Sequence, residues 1–181
     1  MASETKNPYI PLFMVILFPY LILLALVCIF TQNIIMEKVF QNNALYLVLL
    51  LIILYIFAII FTIIVFIKNI IFKQDSQKLL KINMTIKLIH TPAYILIFFA
   101  SLLSFMTIFT MGFSIAFFVL DCMTIFLTGL IGLSGLIRCL IENKLPKKTI
   151  FLNAILQFVF CLDVISSIII YKKIKKINDT E

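Results

Sequence analysis

Between Asn43 and Lys68 the chain carries no charged residue. A helix rises about 1.5 Å per residue, so Ala44 to Ile67 can cross the roughly 30 Å hydrocarbon core of a bilayer with some tilt to spare. Only Tyr46, Tyr55 and Thr62 interrupt its apolar character. A water-soluble core built from 181 residues could not hide such a segment together with the rest of the chain, which is 64% hydrophobic and 13% charged, with a mean hydropathy of +1.20. In a membrane every backbone polar group must be satisfied internally, so the chain reads as all-α: one integral membrane domain, a polytopic bundle of transmembrane helices.

Four further spans complete the expected architecture. The first covers 9–30, interrupted by Pro11 and Pro19, with Pro19 expected to kink the helix beside Tyr20. It is longer than the apolar region of a signal peptide, and QNIIMEK follows with no small-residue cleavage site, so it reads as an uncleaved span. The third (93–109) and fourth (113–136) are together too long for one crossing and are expected to form a tight hairpin at Met111-Gly112. The third is opened by His90-Thr91-Pro92, and the segment before it, KLLKINMTIKLI, reads as an interfacial amphipathic helix. The fifth, 150–171, is the most polar, containing Asn153, Gln157, Asp163, Ser166 and Ser167.

The net charge of +7 raises the question of nucleic acid. Its lysines and arginine sit at the ends of apolar runs, which is the placement of membrane-flank charge, so no nucleic-acid partner is expected. The positive-inside rule places the N-terminus and the loops around Lys78 and Lys147 in the cytoplasm of a plasma-membrane protein. Lys172, Lys173, Lys175 and Lys176 conflict with five crossings, because they would then lie outside. A re-entrant or interfacial fifth segment would return them to the cytoplasmic side. Dispersed cysteines, a single histidine and the absence of hydrolase, protease or nucleotide-binding signatures point to no enzyme, no metal and no cofactor.

The densest constellation runs from Asp121 to Arg138. On a helical wheel Thr124, Thr128, Gly132 and Gly135 fall within about 60° of Asp121, a small-residue stripe suited to close helix packing. By residue count Asp163 of the fifth span lies at the depth of Asp121, joined there by Ser101 and Ser104, with no basic residue alongside. Two such acids cannot both be comfortably ionised. They either accept hydrogen bonds that cement helices or handle an ion or proton. If the helix runs through Pro92, a second track of Asn83, Lys87, His90 and Tyr94 lies nearer the inner surface, and Asn153 and Gln157 share one side of the fifth span at comparable or slightly greater depth. There Lys87 and His90 either snorkel to headgroups or form a gate or anionic-ligand pocket.

The stretches KLIHTPAYILIFFAS, LDCMTIFLTGLIGLSGLIR and LQFVFCLDVISSIIIYKK resemble a family of small multi-spanning membrane proteins from low-GC Gram-positive bacteria, a domain of unknown function. The resemblance covers roughly the last hundred residues. It implies a bacterial plasma-membrane location and singles out His90, Asp121, Gln157 and Asp163, without supplying a mechanism. Two function classes follow. The first is a small transport-related protein with an intramembrane acidic layer. The second is a non-transporting regulatory, immunity or assembly subunit whose partners are the bilayer and a membrane protein or a second copy.

Overall fold

The computed structural model describes residues 12–31, 34–106, 108 and 110–179, the side chain of Phe30 excepted. The expected start of the first span, Tyr9 to Pro11, lies outside them with the N-terminal residues before it. Seven helices and no strand occur among the described residues: α1 (Phe13–Thr31), α2 (Ile34–Lys38), α3 (Ala44–Ile71), α4 (Ser76–Phe105), α5 (Met111–Ile141), α6 (Lys147–Leu156) and α7 (Leu162–Asn178). Three of them, α3, α4 and α5, are long and apolar enough to cross a membrane, and α1 adds a shorter apolar helix.

α5 is the most enclosed of the three and forms the centre. All four glycines lie on it, while the turns use other residues in the left-handed region: Gln41, Asn42, Lys73 and Asn143 all have positive φ. α3 buries only a narrow stripe, Leu47, Ala58, Thr62, Val65 and Asn69, and presents most of its surface outward. Asn69 Nδ2 donates to Ser134 Oγ at 3.1 Å, fixing α3 against α5. Leu12, just before α1, and Val15, Phe18 and Ile22 of α1 join the same core.

Pro92 does not open a helix. α4 continues through it from Ser76 to Phe105, so the expected interfacial helix and the third span are one element. Pro92 removes a single backbone donor. Near that gap the Thr91 hydroxyl bonds the Lys87 carbonyl at 3.0 Å, and Tyr20 Oη of α1 donates to the Ile89 carbonyl at 2.5 Å. The first half of α4 is also buried at Leu79, Leu80, Ile82, Asn83 and Ile86, which a helix lying on a membrane surface would not be. α4 is capped at Met106 and α5 at Thr110, and Met111 and Gly112, the expected turn, belong to the first turn of α5.

The expected fifth span is the larger departure. It breaks between Leu156 and Leu162, and the two halves pack antiparallel as a helical hairpin. Ser166 Oγ donates to Asn153 Oδ1 at 2.7 Å near the tip, and Ile150 packs in one cluster with Ile170 and Ile174 farther back. α7 also runs antiparallel to α4: Lys87 meets Asp163, Asn83 meets Ser167, and Asn178 Nδ2 donates to Gln77 Oε1 at 2.6 Å. Both ends of the hairpin therefore lie at the Ser76 end of the bundle. The physical reason is polar: a straight helix would leave Asn153, Gln157, Ser166 and Ser167 without these mutual partners.

At that end an ionic clasp joins the α3–α4 and α5–α6 loops. Arg138 donates from Nε to the Gln74 carbonyl at 2.9 Å and from Nη2 to Glu142 Oε1 at 2.8 Å. Glu142 Oε2 accepts from Ser76 Oγ at 2.5 Å and lies 3.0 Å from Lys144 Nζ, which reaches Asp75 Oδ1 at 3.4 Å. Burial works against the Glu142 carboxylate, but the Ser76 hydroxyl, Lys144 and Arg138 together hold its pKa below the ordinary 4.5. A depressed acid contributes stability that is present above its unfolded value and lost as pH falls through its folded one. The melting temperature in detergent should accordingly drop as pH is lowered below about 4.3, and Glu142→Gln should flatten that part of the profile. An unchanged slope in the variant would remove the clasp from the stability account.

The hairpin also yields a testable prediction about sidedness. On a cysteine-free background, Lys78→Cys and Lys175→Cys should react with an impermeant thiol reagent from the same membrane face, and Ile108→Cys from the opposite one. Labelling of 175 together with 108 would mean that the segment crosses.

Candidate functional site

Lys87, fully buried, projects from α4 at the level of the helix break. Its Nζ lies 3.0 Å from Asp163 Oδ2 and donates to the Gln157 backbone carbonyl at 3.1 Å. Gln157 closes the C-terminal end of α6, and Asp163 sits in the first turn of α7. The two half-helices thus present a negative and a positive dipole end, with the cation at the former and the carboxylate at the latter. Cys161, at φ 63°, turns the chain between them, and Asp163 N returns a bond to the Val159 carbonyl at 2.9 Å. Irregular backbone is tolerated at membrane depth only where protein or a cavity receives its polar groups. Here Lys87 receives the Gln157 carbonyl.

Below the pair, on the side of the basic end, lies an amide and hydroxyl network. Asn83 Nδ2 donates to Gln157 Oε1 at 3.1 Å and to Ser167 Oγ at 3.0 Å. Ser167 Oγ lies 3.2 Å from the same Gln157 oxygen and donates to the Asp163 carbonyl at 2.7 Å. The network closes on α5 at Gly132, where an added Cβ would lie 2.3 Å from Gln157 Oε1 and 2.7 Å from Asn83 Nδ2. One turn away a Cβ at Gly129 would lie 2.5 Å from the Phe158 ring, and one at Gly135 would touch Leu80 at 3.0 Å. The stripe thus faces α4 and the hairpin tip. Thr124 and Thr128, also buried on it, bond back to carbonyls of their own helix: Leu120 at 3.0 Å and Ile125 at 3.1 Å.

The expected single acidic layer is not formed. Contacts between Ser101 and Ser114 and between Asn83 and Gly132 set the register of α4 on α5, which puts Asp121 level with Tyr94. Asp163 is level with Lys87, two helical turns or about 10 Å away along α4. The folding back of the last segment is the cause, since it carries Asp163 to a hairpin tip instead of the outer half of a span. The same geometry overturns the expectation that no basic residue accompanies the acids, and Lys87 is not a headgroup contact. Ser101 is remote from both acids and bonds Ser114 Oγ at 2.9 Å, while the Ser104 carbonyl accepts from Thr110 Oγ1 at 2.6 Å.

Tyr94 stands between the two acids, close enough for both to act on it electrostatically. Its ring meets Phe160 of the hairpin tip at 6.0 Å and His90 at 5.8 Å, each edge-on. His90 is fully buried and lies against the α1 backbone at Val15 and Ile16. Pro19, four residues on, has no N–H for the Val15 carbonyl, which is left to face the imidazole. No cluster of three or more His, Cys, Asp or Glu that could hold a metal occurs among the described residues.

No family model, curated protein or solved structure matches the chain. The site therefore stands on its geometry. Sequence reasoning missed the Lys87–Asp163 pairing. The one signal for it was indirect, the four terminal lysines that conflict with a fifth crossing.

The tight approach at Gly132 is directly testable. Gly132→Ala should displace the Gln157 amide and destabilise the protein in detergent by about 1–3 kcal/mol. Gly112→Ala, where nothing lies within 4 Å of the added carbon, should be neutral. Equal melting temperatures for the two variants would contradict the packing at the break.

Proposed function

We propose that the protein is a small, non-enzymatic, transport-related membrane protein whose ion-handling site is the Lys87–Asp163 pair at the helix break. Four helices, α1, α3, α4 and α5, cross the membrane in this reading, and the α6–α7 hairpin re-enters from the basic side. The lysines of the α3–α4 loop, the α5–α6 loop and α7 then share one face, with Lys38 at the other end, and the positive-inside rule makes the basic face cytoplasmic. A bacterial plasma membrane fits the resemblance noted above, and no nucleic-acid partner is involved.

One observation carries this reading: a fully buried lysine and a fully buried aspartate meet where the α6–α7 segment is broken. Intramembrane charges are costly and concentrate on ion and substrate pathways. Discontinuous helices supply binding groups from their exposed ends in many transporters. The competing class is a non-transporting subunit for which the pair is only a latch.

Reconstitution separates them. Liposomes containing the protein should dissipate an imposed membrane potential faster than empty ones in the presence of Na⁺, K⁺ or H⁺. The double variant Lys87→Gln, Asp163→Asn, neutral and close in shape, should keep the parent's melting behaviour and lose the flux. Protein-containing and empty liposomes that behave alike for all three cations would favour the latch.

A further inference from the structure

Asn83 Oδ1, Tyr94 Oη, Asp121 Oδ1 and Asp163 Oδ1 are buried and make no hydrogen bond of good geometry among the described residues. The same holds for Asn178 Oδ1 at the basic end, while His90 faces the α1 backbone at Val15 and Ile16. Buried polar atoms are nearly always paired, with protein or with ordered water. Here the first four cluster. They follow one interface, between α4, α5 and α7, from the level of Asp121 to that of Asn83, with the Lys87–Asp163 pair in the middle.

We propose that these atoms line a proton relay, in which Tyr94 passes protons between Asp121 and Asp163 through bridging water. The proposal rests on the ion-handling reading above and names the ion. A sodium or potassium ion would need several converging oxygens, whereas the two carboxylates are two helical turns apart. A proton needs only one acceptor at each station. Asp121 retains 7% exposure and Asp163 none, so Asp121 is the port and Asp163 the inner station.

Each step exchanges one O–H bond for another. Protonated Asp121 gives its proton to the Tyr94 oxygen as the Tyr94 hydroxyl proton leaves, through water, to the Asp163 carboxylate. Asp121 is left ionised and takes the next proton from the far side. Protonated Asp163 passes its proton through water held at Asn83 Oδ1, one turn toward the basic end, and on to solvent at that end, and regains its charge. While Asp163 is neutral, Lys87 keeps its bond to the Gln157 carbonyl but loses its counter-ion, so the hairpin tip is held less firmly in the state that releases the proton. The titratable groups facing this path are Lys87, His90 and Tyr94 from α4, Asp121 from α5 and Asp163 from α7. α1 and α6 carry no charged side chain at this level and present the Val15 and Ile16 backbone and the Asn153 and Gln157 amides.

The test is proton flux into liposomes containing an internal pH dye, driven by a potassium diffusion potential, with Na⁺ and K⁺ movement followed in parallel. The parent should acidify the lumen. Tyr94→Phe and Asp121→Asn should each slow acidification by at least about tenfold, the scale expected for removing one proton-transfer group, while Tyr55→Phe should not. Melting temperatures check folding. Should Tyr94→Phe fold poorly, Asp121→Asn, at the edge of the site, decides alone. Proton flux at the parental rate in either well-folded variant would overturn the relay. Na⁺ or K⁺ movement without proton movement would overturn it while leaving the ion-handling reading intact, and no movement of any of the three would overturn both.

Discussion

The contact of Lys87 with Asp163 and with the Gln157 carbonyl is the interaction on which the other features depend. Moving one ion of this size out of water costs several kcal/mol even after relaxation, and the attraction between partners repays that only when the geometry is good. Here the geometry has three contributions. The charges are 3.0 Å apart, the cation stands at the C-terminal end of one half-helix, and the carboxylate stands in the first turn of the other. Without the lysine, the break would leave a buried carbonyl and a buried carboxylate unpaired.

Glycine placement follows from the same constraint. The hairpin tip must enter between α4 and α5 far enough to bring Gln157 to Lys87, and the side of α5 it meets has to be nearly bare. Gly129 admits Phe158, Gly132 admits the Gln157 amide and Asn83, and Gly135 admits Leu80. A chain with four glycines spends three of them at this one junction and leaves its turns to Asn, Gln and Lys in a conformation they adopt less readily. The apolar remainder, including most of α3, faces outward, as a membrane-embedded bundle requires and an aqueous one would not tolerate.

Much of the helical content was legible because hydrophobic length is a local property. Ala44 to Ile67 and the span after Met111 need no tertiary information to be read as membrane-crossing helices. The small-residue stripe from Thr124 to Gly135 was readable as a face for the same reason. Two misreadings have one origin, which is that local signals were allowed to decide tertiary questions. Pro92 suggests a helix boundary, yet hydroxyls from Thr91 and from Tyr20 of a distant helix bond carbonyls beside it. The break at 157–161 contains neither glycine nor proline, so nothing local announces it. It exists because Asn153, Gln157, Ser166 and Ser167 find one another and Asn83 only when the segment doubles back. Depth counted along an assumed straight span then misplaces Asp163 and hides its lysine.

The most direct measurement is a double-mutant cycle on Lys87 and Asp163, read as unfolding free energy in mixed micelles. Lys87→Met and Asp163→Leu each strand a charge, and each should cost about 3–5 kcal/mol. The double variant should cost far less than the sum, because an apolar pair replaces an ionic one and no unpaired ion remains. Costs that add within about 0.5 kcal/mol, the behaviour of residues that do not touch, would contradict the pairing and with it the helical hairpin it holds in place.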